Sequence, residues 1–323
     1  MEKAAKIIFY FLVLSIPVSS RIIWQQFTPG FFEYTTIFLT LAEVAAVILL
    51  AAGWFKRKEI LRFFWLEWGR EKWLVVIFFA AGAAAVMFAP IKGLAVYGVI
   101  KMAALIGLAI VTAVLVRAGV VRVKEVLGVW AGAAVAEAVI VIAQFRVQGG
   151  VDLSFLGEPN LRAAGISKIA AGGEMILRAY GTFLHPNILA AFLAAGVVVM
   201  VAALAGAKRA RERYGLVVLL YITILALLVT FSRTGWVAAG AGVAAALVLA
   251  ARFVEKRRIM FVVAVVVMTV AAAAWPVKTF ILPRAIVSRN EPAVTARLAY
   301  AEMAVEIVKK YPLGVGIGNQ TYA

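Results

Sequence analysis

The chain has 323 residues, 65% of them hydrophobic, where a soluble domain has about half. Its 33 lysines and arginines outnumber 16 acidic residues for a formal charge of +17, with no cysteine and one histidine, His185. These counts exclude disulfides, thiolate chemistry and a multi-histidine metal centre. The charge sits in short loops between apolar runs, which points to cytoplasmic retention and contact with anionic lipid rather than to nucleic acid.

The apolar runs are each about as long as the roughly 20 residues that cross a bilayer. Nine spans are predicted, at about 5–20, 31–54, 73–90, 94–116, 125–145, 187–206, 214–231, 236–252 and 259–276. The start, Met1 to Lys6 followed by an apolar run, resembles a signal peptide. No small-residue cleavage site follows and further spans do, so it reads as an uncleaved first helix. Loop charge sets the N-terminus inside. The inside segments then hold Lys3 and Lys6, six basic residues from Lys56 to Lys72, three from Arg117 to Lys124, four from Lys208 to Arg213 and four from Arg252 to Arg258. The short outside connections hold only Arg21, Lys92 and Arg233, which is the positive-inside asymmetry. The expectation is an all-α polytopic membrane protein. Residues 1–276 form a transmembrane bundle with an external loop at about 146–186, and 277–323 begin a large external loop, incomplete. In segment 56–72, Leu61, Phe64, Trp65 and Trp68 follow helical spacing among charged residues, as in a helix lying on the cytoplasmic surface.

Glu43, Lys101 and Glu137 fall inside predicted spans, where ionisable residues pair or carry function. A structural Lys101–Glu137 pair is expected. Before span six stands Arg178-Ala-Tyr-Gly-Thr-Phe-Leu-His185-Pro186-Asn187. Pro186 suits a first helical turn. The stretch reads either as a plain helix start with an incidental arginine, which composition alone favours, or as an anion site made by Arg178 and the free N–H groups of the helix. His185, between Leu184 and Pro186, is expected to pack at the helix start. Phe231-Ser232-Arg233-Thr234-Gly235-Trp236 joins spans seven and eight. Arg233 there is either a snorkelling side chain beside a belt tryptophan or a fixed guanidinium that gives a phosphate two parallel hydrogen bonds. In the tail, Thr295 to Lys310 has helical character and carries Arg297 near its start. Leu313-Gly-Val-Gly-Ile-Gly-Asn319 follows and reads as a glycine-rich turn, with a phosphate nest as the weaker alternative.

In order and spacing these stretches resemble the superfamily of O-antigen ligases and O-antigen polymerases, the Wzy-C type. Arg178, Gly181-Thr182-Phe183 and Pro186-Asn187 resemble its Arg–GTF–PN element, and Ser232-Arg233-Thr234-Gly235 its most characteristic motif. Arg297, Tyr300 and Ala301, then Pro312 to Gly316, resemble the opening of its large external loop, with tyrosine where tryptophan is commoner. The motifs cover residues 178–323. The N-terminal half matches by topology.

The resemblance implies a GT-C-like fold in the bacterial inner membrane, with the site facing the periplasm. It implies metal-independent, cofactor-free transfer of a glycan from a polyprenyl (undecaprenyl) diphosphate to an acceptor hydroxyl in cell-surface polysaccharide assembly. Arg178 and Arg233 would hold the diphosphate, with Arg297 assisting. The partners are the lipid-linked donor, a lipid or glycan acceptor and membrane lipids, with no nucleic acid. Ligase is preferred to polymerase. A transporter or flippase of lipid-linked sugars is the alternative from another class, and would favour internal repeats and interrupted helices. The family also carries a functional histidine later in the external loop. The expectation is therefore a C-terminally truncated chain whose general base lies beyond Ala323, with activity belonging to the longer protein.

Overall fold

A computed structural model describes residues 1–28, 35–163, 165–171, 174–285 and 292–322. In chain order its elements are α1 (Glu2–Ser15), β1 (Arg21–Gln26), β2 (Thr36–Thr40), α2 (Leu41–Gly53), α3 (Arg57–Arg62), α4 (Lys72–Ala84), α5 (Lys92–Arg117), α6 (Val123–Val147), β3 (Lys168–Ala171), β4 (Glu174–Leu177), α7 (Pro186–Gly206), α8 (Ala210–Val229), α9 (Arg233–Ala250), α10 (Lys256–Ala274), α11 (Lys278–Ala285) and α12 (Pro292–Lys310). The strands form two separate antiparallel hairpins, and the rest is mostly helix.

Among the described residues six helices are long and apolar enough to cross a membrane: α5, α6, α7, α8, α9, and the stretch Lys256–Arg284 formed by α10 and most of α11. Each coincides with one of the last six predicted spans. The first three predicted spans take other forms. α1 has 14 residues, short of the roughly 20 a bilayer requires. The start of the second, at residues 31–34, lies outside the described residues, and Thr36–Thr40 is strand, not helix. The reason is local. Thr36 and Ile37 are β-branched and pair with Gln26 and Gln25 of β1, and Thr40 and Glu43 form a capping box that starts α2. Leu41–Glu67 and Lys72–Phe88 pass as a span only as a pair bent by 105°, which would raise the count to seven.

The chain divides into two compact units. The first comprises Met1–Leu12, Arg21–Val123 and Ser288–Ala323. Here Glu43 and Lys101 make an ion pair at 2.6 Å, with the ammonium 4.5 Å from the centre of the Phe38 ring. Glu43 thus splits its oxygens between the cap of α2 and Lys101 on α5. The glycine-rich tail packs on the same unit. Gly314, Gly316 and Gly318 all have positive φ. Buried Asn319 accepts from Ile91 N at 2.8 Å, and Ile317 fills the space left by Gly98 on α5. The run is a packed turn, as its plainer reading held.

The second unit comprises Val13–Ser20 and Lys124–Val287. Its core centres on α7, where Leu189, Leu193, Met200, Val201 and Leu204 are buried. A helix apolar on every face belongs inside. Helices in lipid gain little from hydrophobic burial, so small residues that admit close backbone approach do the packing. A Cβ on Gly196 would stand 2.6 Å from the Ala134 Cβ, and one on Gly235 would stand 2.6 Å from the Ala190 Cβ.

Candidate functional site

The loop from β4 into α7 is fixed by two polar side chains of α6. Gln144, fully buried, accepts from Tyr180 N (3.0 Å) and Gly181 N (2.8 Å), and donates to Gly181 O (2.9 Å) and Glu158 Oε1 (2.7 Å). Two turns earlier on the same face, Glu137 accepts from Thr182 N at 3.1 Å and from Thr182 Oγ1 at 2.6 Å. Gly181 stands at φ +59°, and a Cβ there would meet Glu137 Oε2 at 2.2 Å, so only glycine fits. The expected Lys101–Glu137 pair is therefore corrected: Glu137 serves Thr182 and Lys101 serves Glu43. Both residues were visible as polar groups in apolar runs, but spacing could not say which partner each would reach.

Arg178 is buried, and three acceptors from three segments orient its guanidinium. Nε donates to Thr230 O (2.8 Å), Nη1 to Ser167 Oγ (3.2 Å) and Nη2 to Asn187 Oδ1 (2.7 Å). The first bond ties it to the turn between α8 and α9. There Thr230 closes α8 and Phe231 takes the left-handed conformation, φ +51°, that glycine usually occupies after a helix. That conformation costs a non-glycine residue roughly 1–2 kcal/mol. The fully buried Phe231 ring holds it, 6.0 Å from the Phe145 ring. The chain reverses so sharply that Ser232 caps α9 at once, its Oγ accepting from Gly235 N at 3.3 Å, and Arg233 becomes the first helical residue. Arg233 Nε donates to Arg284 O at 2.5 Å, and Arg284 Nε returns a bond to Phe231 O at 3.4 Å.

Arg178 Nε bonds the Thr230 carbonyl in the same turn from which Arg233 starts α9. Arg297 is exposed on α12, in the other compact unit. Arg284 joins the Arg233 turn and was missed, since nothing in the local sequence ties it to a residue fifty positions earlier. Gln144 and Glu158 were also missed, although a glutamine within an apolar run is a signal of a buried polar contact.

His185 caps α7. Its Nδ1 accepts from Asn187 N at 3.1 Å, and its ring meets Tyr180 edge to face. Burial first, and the Arg178 charge second, hold the imidazole below its ordinary pKa. Among the described residues no cluster of three or more acidic or histidine side chains could hold a metal ion.

Several long apolar helices define a multi-pass membrane protein, with Arg178 tied to the turn from which Arg233 starts α9. The O-antigen ligase (Wzy-C) family model matches residues 216–323. That stretch runs from α8 through the Ser232–Gly235 turn and Arg297 to the glycine-rich tail, and the match supports assignment to the O-antigen ligase family. Arg178 lies N-terminal to it. The match supports O-antigen ligase-like, glycosyltransferase-type function in general terms. No curated protein and no solved structure matches the chain.

Proposed function

We propose that the protein transfers a preassembled glycan from an undecaprenyl-type diphosphate carrier to an acceptor hydroxyl, as an O-antigen ligase, at the periplasmic face of the bacterial inner membrane. A cytoplasmic N-terminus belongs to this reading. The acceptor oxygen forms a bond to the anomeric carbon as the bond from that carbon to the diphosphate breaks, and the acceptor proton passes to a base. Negative charge grows on the departing diphosphate, and fixed cations aimed at that charge lower the barrier. The observation that carries the reading is Arg178 tied by Thr230 O to the turn that presents Arg233. A guanidinium offers planar, paired donors to phosphate oxygens. Arg297 is assigned an assisting role. His185 is committed to the cap of α7. A polymerase reading shares this chemistry and differs only in using another lipid-linked glycan as acceptor.

The test is Arg233→Lys, assayed for glycan transfer from a polyprenyl diphosphate donor. Charge without the planar fork is insufficient, and loss of one such donor costs about 10²-fold in rate. Transfer at the wild-type rate refutes the phosphate role.

A further inference from the structure

Arg213, Glu255, Arg257, Arg258 and Phe261 line a hollow of about 340 Å³ in the second unit, at the start of α8 and the turn leading into α10. Two of its arginines are held by neighbouring carbonyls of the α7–α8 turn. Arg258 Nη2 donates to Ala207 O, and Arg213 Nη2 donates to Lys208 O at 3.1 Å. Consecutive carbonyl oxygens thereby bring two like charges to one wall, and exposed Arg257 adds a third. Among the described residues none of the three is ion-paired; the nearby pair is Arg209 with Glu212. Arg213 Nε is shielded from solvent and has no hydrogen-bond partner. A buried donor left unpaired costs free energy that an incoming acceptor would recover after a small turn of the side chain. Three arginines against one glutamate leave the lining cationic, so an anion fits it and a zwitterion does not.

The surroundings say which anion. The hollow opens between two helices long and apolar enough to lie in a bilayer. Its apolar wall is Phe261, 46% exposed, beside Met260, 59% exposed, on the outward surface of α10. A phosphate in the hollow would leave acyl chains to run along these side chains. We infer that this hollow binds the phosphate of an anionic phospholipid headgroup, at a site separate from the Arg178–Arg233 turn. Phosphate suits arginine forks, and the site neither needs nor supports the transfer chemistry proposed above.

The experiment is native mass spectrometry of the protein in a neutral detergent, titrated with phosphatidylglycerol or phosphatidylcholine. Wild type is expected to retain phosphatidylglycerol in preference. Arg257→Gln tests the site without disturbing the fold, because this exposed side chain makes no hydrogen bond within it; retention should weaken about tenfold, the value of one charged hydrogen bond. Arg213→Gln with Arg258→Gln should abolish the preference. Arg252→Gln, which removes a charge from the same turn outside the hollow, should leave it intact. Unchanged retention in Arg257→Gln, equal loss in Arg252→Gln, or no preference over phosphatidylcholine overturns the site. Displacement of the lipid by millimolar inorganic phosphate overturns the lipid as occupant. Glycan transfer by Arg257→Gln should stay at the wild-type rate, which separates this site from the catalytic reading.

Discussion

Gln144→Leu is the sharpest test of how the arginine-bearing loop is held. The two side chains have similar volume, so little cavity or overpacking arises. The substitution deletes four hydrogen bonds and leaves Tyr180 N, Gly181 N and Gly181 O without their partner inside the bundle. Each unpaired buried group costs about 1–3 kcal/mol, for a gross loss of about 3–9 kcal/mol. Partial relaxation of the loop should hold the net to roughly 3–5 kcal/mol, the upper range for a single substitution. At about 2 °C per kcal/mol for a chain of this size, the melting temperature should fall by roughly 6–10 °C. Thermal unfolding in detergent followed by tryptophan fluorescence reads this directly. Val139→Leu, on an exposed position of the same helix, is the control and should stay within about 1 °C of wild type. A Gln144→Leu protein melting with the control would show that this network does not hold the loop.

Gly235→Ala should destabilise the second unit by about 1–3 kcal/mol, because its Cβ would stand 2.6 Å from the Ala190 Cβ; adding Ala190→Gly should restore the melting temperature, and an unshifted single variant contradicts the close α7–α9 packing. His185 gives a pH dependence. Its folded pKa lies below the unfolded value, so the unfolded chain binds more protons between the two; stability is level above about pH 6.5 and falls as pH drops through that window. The ring is partly open to solvent, so the slope is shallow. His185→Asn keeps a capping oxygen and should flatten it, as melting temperatures from about pH 7.5 to about pH 5 would reveal.

How much was legible depends on the range of the signal. Helices α5 to α10 were readable because each is a long apolar run ended by charge, and the start of α7 because Pro186 marks a first turn. The start of α2 carried its own signal, Thr40 with Glu43 three residues on, but the surrounding apolar residues merged strand and helix into one apparent span. Which polar groups pair could not be read. Glu137, Lys101 and Glu43 are all polar residues in apolar surroundings, and only the packing decides that Glu43 reaches Lys101 while Glu137 reaches Thr182. Likewise the motif order gave Arg178 and Arg233, but not the Thr230 carbonyl that joins them, nor Arg284.

Three of the oxygens that orient Arg178 belong to a carbonyl, a hydroxyl and an amide. The Asn187 amide orients the guanidinium without adding charge of its own, whereas the Glu43 carboxylate both orients and neutralises Lys101. If Arg178 serves a diphosphate, that difference matters, and Asn187→Asp isolates it. The new side chain is nearly isosteric and keeps an oxygen within reach of Nη2, so the loop should hold and the melting temperature should not fall. The charge seen by a ligand changes. A carboxylate introduced about 5 Å from a phosphate, at an effective dielectric near 20, opposes it by about 3 kcal/mol, which is about 10²-fold in transfer rate. Measured side by side, unchanged stability with a large loss of transfer is the expected pair of results. Wild-type transfer by Asn187→Asp would mean that the Arg178 guanidinium holds the loop and nothing else.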